Sequence, residues 1–168
     1  MSPDYAHYKP LIETIAIVQG LDALLIAAVV QTESSFRADA FSHEPQFWAR
    51  YMKPSPKYAH LHPRRYSSSY GLMQPMWVVA VEEGFSPALP PEHLFVPELS
   101  LEYGCKRLKR CLEWAATFGA NEKDTLLSGL SAYNGGRNSA QRPPNPRNIK
   151  YALRVWQHLT DVARIVHA

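Results

Sequence analysis

Glu33 is the residue whose type and position could do chemistry. It closes the apolar stretch LDALLIAAVVQTESSF (Leu21–Phe36), in which Asp22 is a good N-cap and Ala23–Val30 is wholly apolar. That pattern predicts a largely buried helix. Ser34 and Ser35 end the apolar run, which places Glu33 in the helix's last turn. The negative pole of the macrodipole disfavours a carboxylate there by roughly 0.3–1 kcal/mol, and burial would favour the neutral form further. A carboxyl held protonated near neutral pH is what a general acid needs. The competing reading is a solvated acid on a frayed helix end. Three further motifs carry polar groups at expected helix ends: GLMQ (Gly71–Gln74), AYNGG (Ala132–Gly136) and Tyr151.

The elements that must position these groups read mainly as helices. Lys9–Gln19 is expected as a helix closed by Gly20, and Asp22 opens the next. From Arg37 to Ser69 no period is sustained, and Pro45, Pro54, Pro56 and Pro63 are scattered among Phe41, Phe47, Trp48, Tyr51, Tyr58 and Tyr66. A loop of this length is functional or mobile as a rule. Short helical turns fit around Gln46–Met52, and most of the aromatics are expected to pin the loop to the body, the alternative being stacking on sugar faces. Pro75 suits the first turn of a helix running from Met76 to Glu83 and ended by Gly84. A Pro-rich connection, Ser86–Pro97, leads to a long helix N-capped by Ser100 and reaching about Phe118. Glu122–Tyr133 is the next helix, stopped by Asn134-Gly135-Gly136. A Pro-rich loop, Arg137–Asn148, precedes a final helix from Ile149 to about Ile165. No alternating strand, repeat or separable second domain is expected, so residues 1–168 read as a single domain.

Composition bounds the rest. With 168 residues, 46% hydrophobic and 20% charged, the chain can bury a sizeable core. The formal charge of +3 is mild. The densest basic cluster, Lys106, Arg107, Lys109 and Arg110, reads as a solvated helix face, and no aromatic-interleaved basic platform supports nucleic acid. The longest apolar run, eight residues, is too short to span a bilayer. Cys105 and Cys111 sit six apart on one expected helix, on divergent bearings, so they cannot pair with each other. Both fall in the stripe Leu101, Gly104, Cys105, Leu108, Cys111, Leu112, Ala115 and are expected as buried, reduced core residues. His60 and His62 form an HxH pair with Glu44 as the only nearby acid; surface histidines are expected rather than a metal site.

ESSF (Glu33–Phe36), GLMQ, AYNGG and Tyr151, in this order, resemble the lytic transglycosylase catalytic domain of the soluble-type (SLT) family. That family lies within the lysozyme-like superfamily that also holds goose-type lysozymes. The resemblance runs from about Leu11 to Trp156, and LFVPELSLEYGCKRL (Leu94–Leu108) is similar to the family's connecting helix. It implies an all-α, mainly helical, lysozyme-like domain acting on the peptidoglycan glycan strand. The implied reaction cleaves the β-1,4 bond between N-acetylmuramic acid and N-acetylglucosamine and leaves 1,6-anhydro ends. Glu33 matches the family's sole acid/base, and no metal or cofactor is implied. Ser42 resembles the serine that bonds near the acid and the substrate acetamido group. Met73 and Gln74 match the cleft-floor pair that contacts the sugar. Tyr133 and Asn134 match the helix-end residues that shape the site and bind substrate, and Tyr151 the tyrosine whose hydroxyl orients the acid. Core packing for Met73 and Tyr133, and a helix C-cap for Asn134, are the alternatives.

Two departures from the family pattern stand out. About two dozen extra residues, roughly His43 to Tyr66, form a long irregular insertion between the first two motifs; it could lid the cleft, grip peptide stems or dock on a partner. Gly135 stands where alanine is commonest, a change expected to be tolerated. The nearest rival activity is hydrolysis, with Asp39 or Glu44 positioning water, and a rival of another class is a wall-binding or assembly protein with a vestigial cleft. The N-terminus, MSPDYAHYKP, shows no signal peptide. Delivery to the wall is therefore expected through a virion, a holin or a secretion apparatus, with phage origin favoured and virion or secretion proteins as partners.

Overall fold

The computed structural model describes residues 3–138, 140 and 146–166, with side chains over 5–138, 140 and 148–161. It is mainly helical, as expected. The helices are α1 (Pro3–Gln19), α2 (Ala23–Ser34), α3 (Pro45–Phe47), α4 (Pro63–Tyr66), α5 (Trp77–Glu82), α6 (Pro97–Ala116), α7 (Glu122–Gly135) and α8 (Pro146–Val166). The chain divides into two compact units, Met1–Thr32 with Cys105–Ala168, and Glu33–Gly104. No described helix is long and apolar enough to cross a membrane.

In the first unit, α1 ends as its sequence dictates. Gly20 takes φ 65°, and the amides of Gly20 and Leu21 return to the carbonyls of Ile17 and Ala16, the paired bonds of a Schellman cap. Lys109 Nζ donates to Gln19 O at 2.8 Å, so one member of the basic cluster caps α1 rather than standing solvated. Asp22 Oδ1 accepts the Leu25 amide at 2.8 Å and starts α2. Ile26 to Val30 are all buried, consistent with a helix apolar on every face. On α6, Cys105, Leu108, Cys111 and Ala115 are fully buried along one stripe. Both cysteines are buried thiols outside any disulfide, and burial pushes the Cys105 thiol up to about 12, which keeps it neutral and inert. Asn121 Oδ1 accepts the Asp124 amide at 2.9 Å and caps α7. Helix α7 packs along α8, and at Gly129 it comes so close to Leu112 of α6 that a Cβ would lie 2.7 Å from Leu112 Cδ2.

The second unit contains what the sequence pattern did not show. Two three-residue strands, β1 (Phe41–His43) and β2 (Ser68–Tyr70), pair antiparallel with Ser42 opposite Ser69. They give no period-2 signal because β1 buries neither face, so their pairing is set by long-range contacts rather than by alternation. The strands close the base of residues 43–66, which are ordered into α3, a π-helical turn (Trp48–Met52) and α4. Pro45 and Pro63 each open a helix in the first turn, where a missing amide costs nothing.

The aromatics of this segment mostly pin it down. Phe47, Trp48, Tyr58 and Tyr66 pack on a cluster of Met52, Tyr70, Trp77, Val78, Phe85 and Leu94, with Tyr66 and Trp77 edge to face at 5.0 Å. Arg65 makes a two-pronged pair with Glu92, at 2.6 and 2.8 Å, which holds the Glu92 carboxyl below the usual carboxylate range. Ser100 differs from expectation. Pro97 sets the start of α6, so Ser100 lies one turn inside, fully buried. Its Oγ accepts the Met73 amide at 3.1 Å and donates to Tyr70 O at 3.3 Å.

Candidate active site

Glu33 sits in the last turn of α2, half-buried. The helix stops at Ser34 because the two residues after it leave the right-handed region: Ser35 has φ 51° and Phe36 φ 62°. Left-handed backbone costs a non-glycine residue roughly 1–2 kcal/mol, so something must hold it. Phe36 is buried, and the buried Ser34 hydroxyl donates to Leu72 O at 2.8 Å. That bond ties the end of α2 to the 71–74 turn.

The turn is strained in the same way. Gly71 takes φ 72°, and Gln74 takes φ 52° despite its side chain. Gln74 Nε2 donates to Ala40 O at 2.9 Å and to Gly71 O at 2.8 Å, while the Gly71 amide donates to the same Ala40 carbonyl. Met73, whose match implied sugar contact, is fully buried. It lies against Gly104, where a Cβ would stand 2.8 Å from its sulfur. A side chain with no exposed surface supports the turn from beneath, so packing is the reading the geometry gives Met73. Gln74 is the member of the pair with exposed surface. Ser35, Phe36 and Gln74 are the only described non-glycine residues with positive φ, and strain of this kind concentrates where function over-determines the backbone.

Ser42 lies on β1, exposed, and its Oγ donates to Glu44 Oε1 at 3.3 Å. Asp39 is also exposed. His60 and His62 are exposed, and no group of three potential metal ligands occurs among the described residues.

The other motif residues belong to the first unit. Tyr133 is half-buried near the end of α7, against the cluster of Cys111, Ala132 and Ala140. Asn134 is exposed one residue later. Gly136, φ 80°, returns its amide to Ala132 O at 2.8 Å and closes the helix, so Gly136 performs the capping. Tyr151 is buried on α8.

Sequence reasoning missed three residues that position these groups. Ser34 and Ser100 carry no signal beyond being serines inside apolar surroundings. The third, Asn148, is buried, its carbonyl accepts from Ser131 Oγ at 3.4 Å, and its Nδ2 has no hydrogen-bond partner among the described residues. A Cβ on Gly135 would overlap that Nδ2. The glycine and the asparagine therefore fill one space. Gly135→Ala is expected to cost about 1–3 kcal/mol by overpacking, and adding Asn148→Ala should recover most of it, since the pair shares the cavity. Thermal unfolding of the two single variants and the double variant measures the coupling; additive losses would refute it.

A mainly helical body with Glu33 in the last turn of α2 and a small two-stranded sheet after it is a lysozyme-like transglycosylase fold. The chain belongs to the transglycosylase SLT domain family, whose model matches residues 10–152. Over 99% of its length it is similar in fold to the X-ray structure of an inactive mutant of the lytic transglycosylase Slt from Pseudomonas aeruginosa, with a TM-score of 0.67 at 18% identity. The chain spans 25% of that protein. No curated protein matches it.

Proposed function

We propose that this domain is a peptidoglycan lytic transglycosylase with Glu33 as its only acid/base. The observation that carries the reading is the construction around Glu33: a half-buried carboxyl at a helix tail, followed by two left-handed residues cross-tied to a second strained motif. Membership of the SLT family supports it. So does the fold neighbour, whose inactive form carries glutamine in place of a glutamate.

In this mechanism the Glu33 carboxyl donates its proton to the glycosidic oxygen as the bond to C1 of the muramic acid breaks. The substrate's own acetamido oxygen takes up C1, in the role that a second carboxylate fills in two-acid glycosidases. The Glu33 carboxylate then accepts the proton of the C6 hydroxyl as O6 attacks C1 and displaces the acetamido oxygen. The acid is regenerated, and the product carries a 1,6-anhydro ring. Gln74, with Nε2 held by two carbonyls, presents Oε1 as an acceptor for substrate. Asn134 supplies a second amide, Tyr133 shapes the site, Tyr151 orients the acid, and Ser42 assists near the acetamido group. Peptidoglycan is the substrate, and the chemistry calls on no cofactor.

Mass spectrometry of digested sacculi is expected to show anhydro ends. Reducing muramic acid ends would overturn the transglycosylase reading in favour of hydrolysis, with Glu44, bonded to Ser42, as the carboxylate that positions water.

A further inference from the structure

Residues 43–66 hold five Lys or Arg against one acid, Glu44, a formal +4 in a chain of +3. Within the same unit lies a pocket of about 250 Å³ lined by Phe47, Tyr51, Met52, Tyr58, Val78 and Glu82. Met52 and Val78 are buried, and Tyr51 is exposed. Two exposed cations stand on the rings that line it: the Arg50 guanidinium 5.3 Å from the Tyr51 centroid, and Lys57 Nζ 5.0 Å from that of Tyr58.

From this arrangement we infer that the pocket binds the end of a short peptide that carries both a free carboxylate and an amine. Its apolar lining takes small side chains such as alanine methyls. Arg50 and Lys57 meet the carboxylate, and Glu82 meets the amine. The volume lies just under the range of drug-sized pockets, which suits a dipeptide-sized fragment. A bare glycan fits less well, because the aromatic and aliphatic lining would strip its hydroxyls of water without replacing the bonds. A polyanion would need the cations but not the pocket. That such a peptide comes from the stem borne on muramic acid rests on the function proposed above.

The test is calorimetric titration of the whole protein with Nα-acetyl-L-lysyl-D-alanyl-D-alanine and with its C-terminal amide. The acid is expected to bind at least about fivefold more tightly than the amide, the size of one modest ion pair. Arg50→Glu with Lys57→Glu should erase that preference. Glu82→Gln should weaken the peptide but not its Nε-acetylated form. Tyr58→Ala should weaken binding about fivefold and Tyr58→Phe should not; thermal unfolding confirms that each variant is folded. Equal binding of acid and amide would overturn the inference. So would tight binding of dextran sulfate that Tyr58→Ala leaves unchanged while the peptide fails to bind. Titrations on the Glu33→Gln protein need no turnover, and anhydro-end release from peptide-free glycan strands reads the proposed activity alone. Failure of one is thereby distinguished from failure of the other.

Discussion

Glu33→Gln is expected to lower the release of soluble fragments from sacculi by about 10³–10⁴-fold, equivalent to roughly 4–5.5 kcal/mol of barrier. General acid–base assistance is commonly worth about 10²–10⁴-fold, and in the proposed mechanism one carboxyl serves both half-reactions, so the upper part of that range applies. The amide is nearly isosteric and cannot donate a proton to the leaving oxygen or accept one from the C6 hydroxyl. Folding should not suffer. Glutamine keeps the size of the side chain at the negative end of α2 and carries no charge for the macrodipole to oppose, so the unfolding temperature should change little. Glu33→Asp withdraws the carboxyl by one methylene and is expected to lose about 10²-fold, since small misplacements of a reacting group are costly. Fragment release assayed beside thermal unfolding separates chemistry from stability. A Glu33→Gln protein that retains activity would remove Glu33 from the mechanism. A wild-type protein that binds sacculi and releases nothing would instead point to a wall-binding protein.

Gly71→Ala is expected to be the most destabilising single methyl addition in the second unit, at about 2–5 kcal/mol. Two costs combine. Gly71 has φ 72°, which costs a residue with a Cβ roughly 1–2 kcal/mol. The new Cβ would also overlap the Leu94 carbonyl and approach Ser100 Oγ to 2.9 Å, and overpacking of this kind costs about 1–3 kcal/mol. The Leu94 oxygen is backbone and cannot rotate away. Ser100 cannot yield cheaply either, because its hydroxyl already bonds the Met73 amide and the Tyr70 carbonyl. For a domain of this size the loss corresponds to a fall of about 5–20 °C in unfolding temperature. Gly119→Ala is the internal comparison: its φ is 64° and nothing lies within 4 Å of the added Cβ, so only the backbone cost of about 1–2 kcal/mol should appear. Equal losses at the two positions would show that the close approach at Gly71 carries no energy.

The helices were legible because their signals are local. An N-cap aspartate three residues before the amide that it accepts, a glycine at the end of α1, and an apolar stripe of period 3.6 along α6 are each read within a few residues of sequence. The burial of both cysteines follows from that stripe. Positions such as Ser100 misled because serine reads as a cap wherever a helix is expected to begin, whereas the actual start was set by Pro97.

The amino-acid order alone determined the helical class, the limits of α2, and the location of Glu33 in its last turn. The tertiary structure decided the backbone around that residue. Left-handed conformations at Ser35, Phe36 and Gln74 carry no local signature, since each runs against the residue's own preference. They persist because contacts distant in sequence hold them: Ser34 to Leu72, Gln74 to Ala40 and the burial of Phe36. The same is true of the β1–β2 pairing, the burial of Met73, and the space that Gly135 leaves to Asn148. A short window of sequence reports propensity, and around Ser35, Phe36 and Gln74 the fold overrides it with bonds made between 34 and 38 residues away.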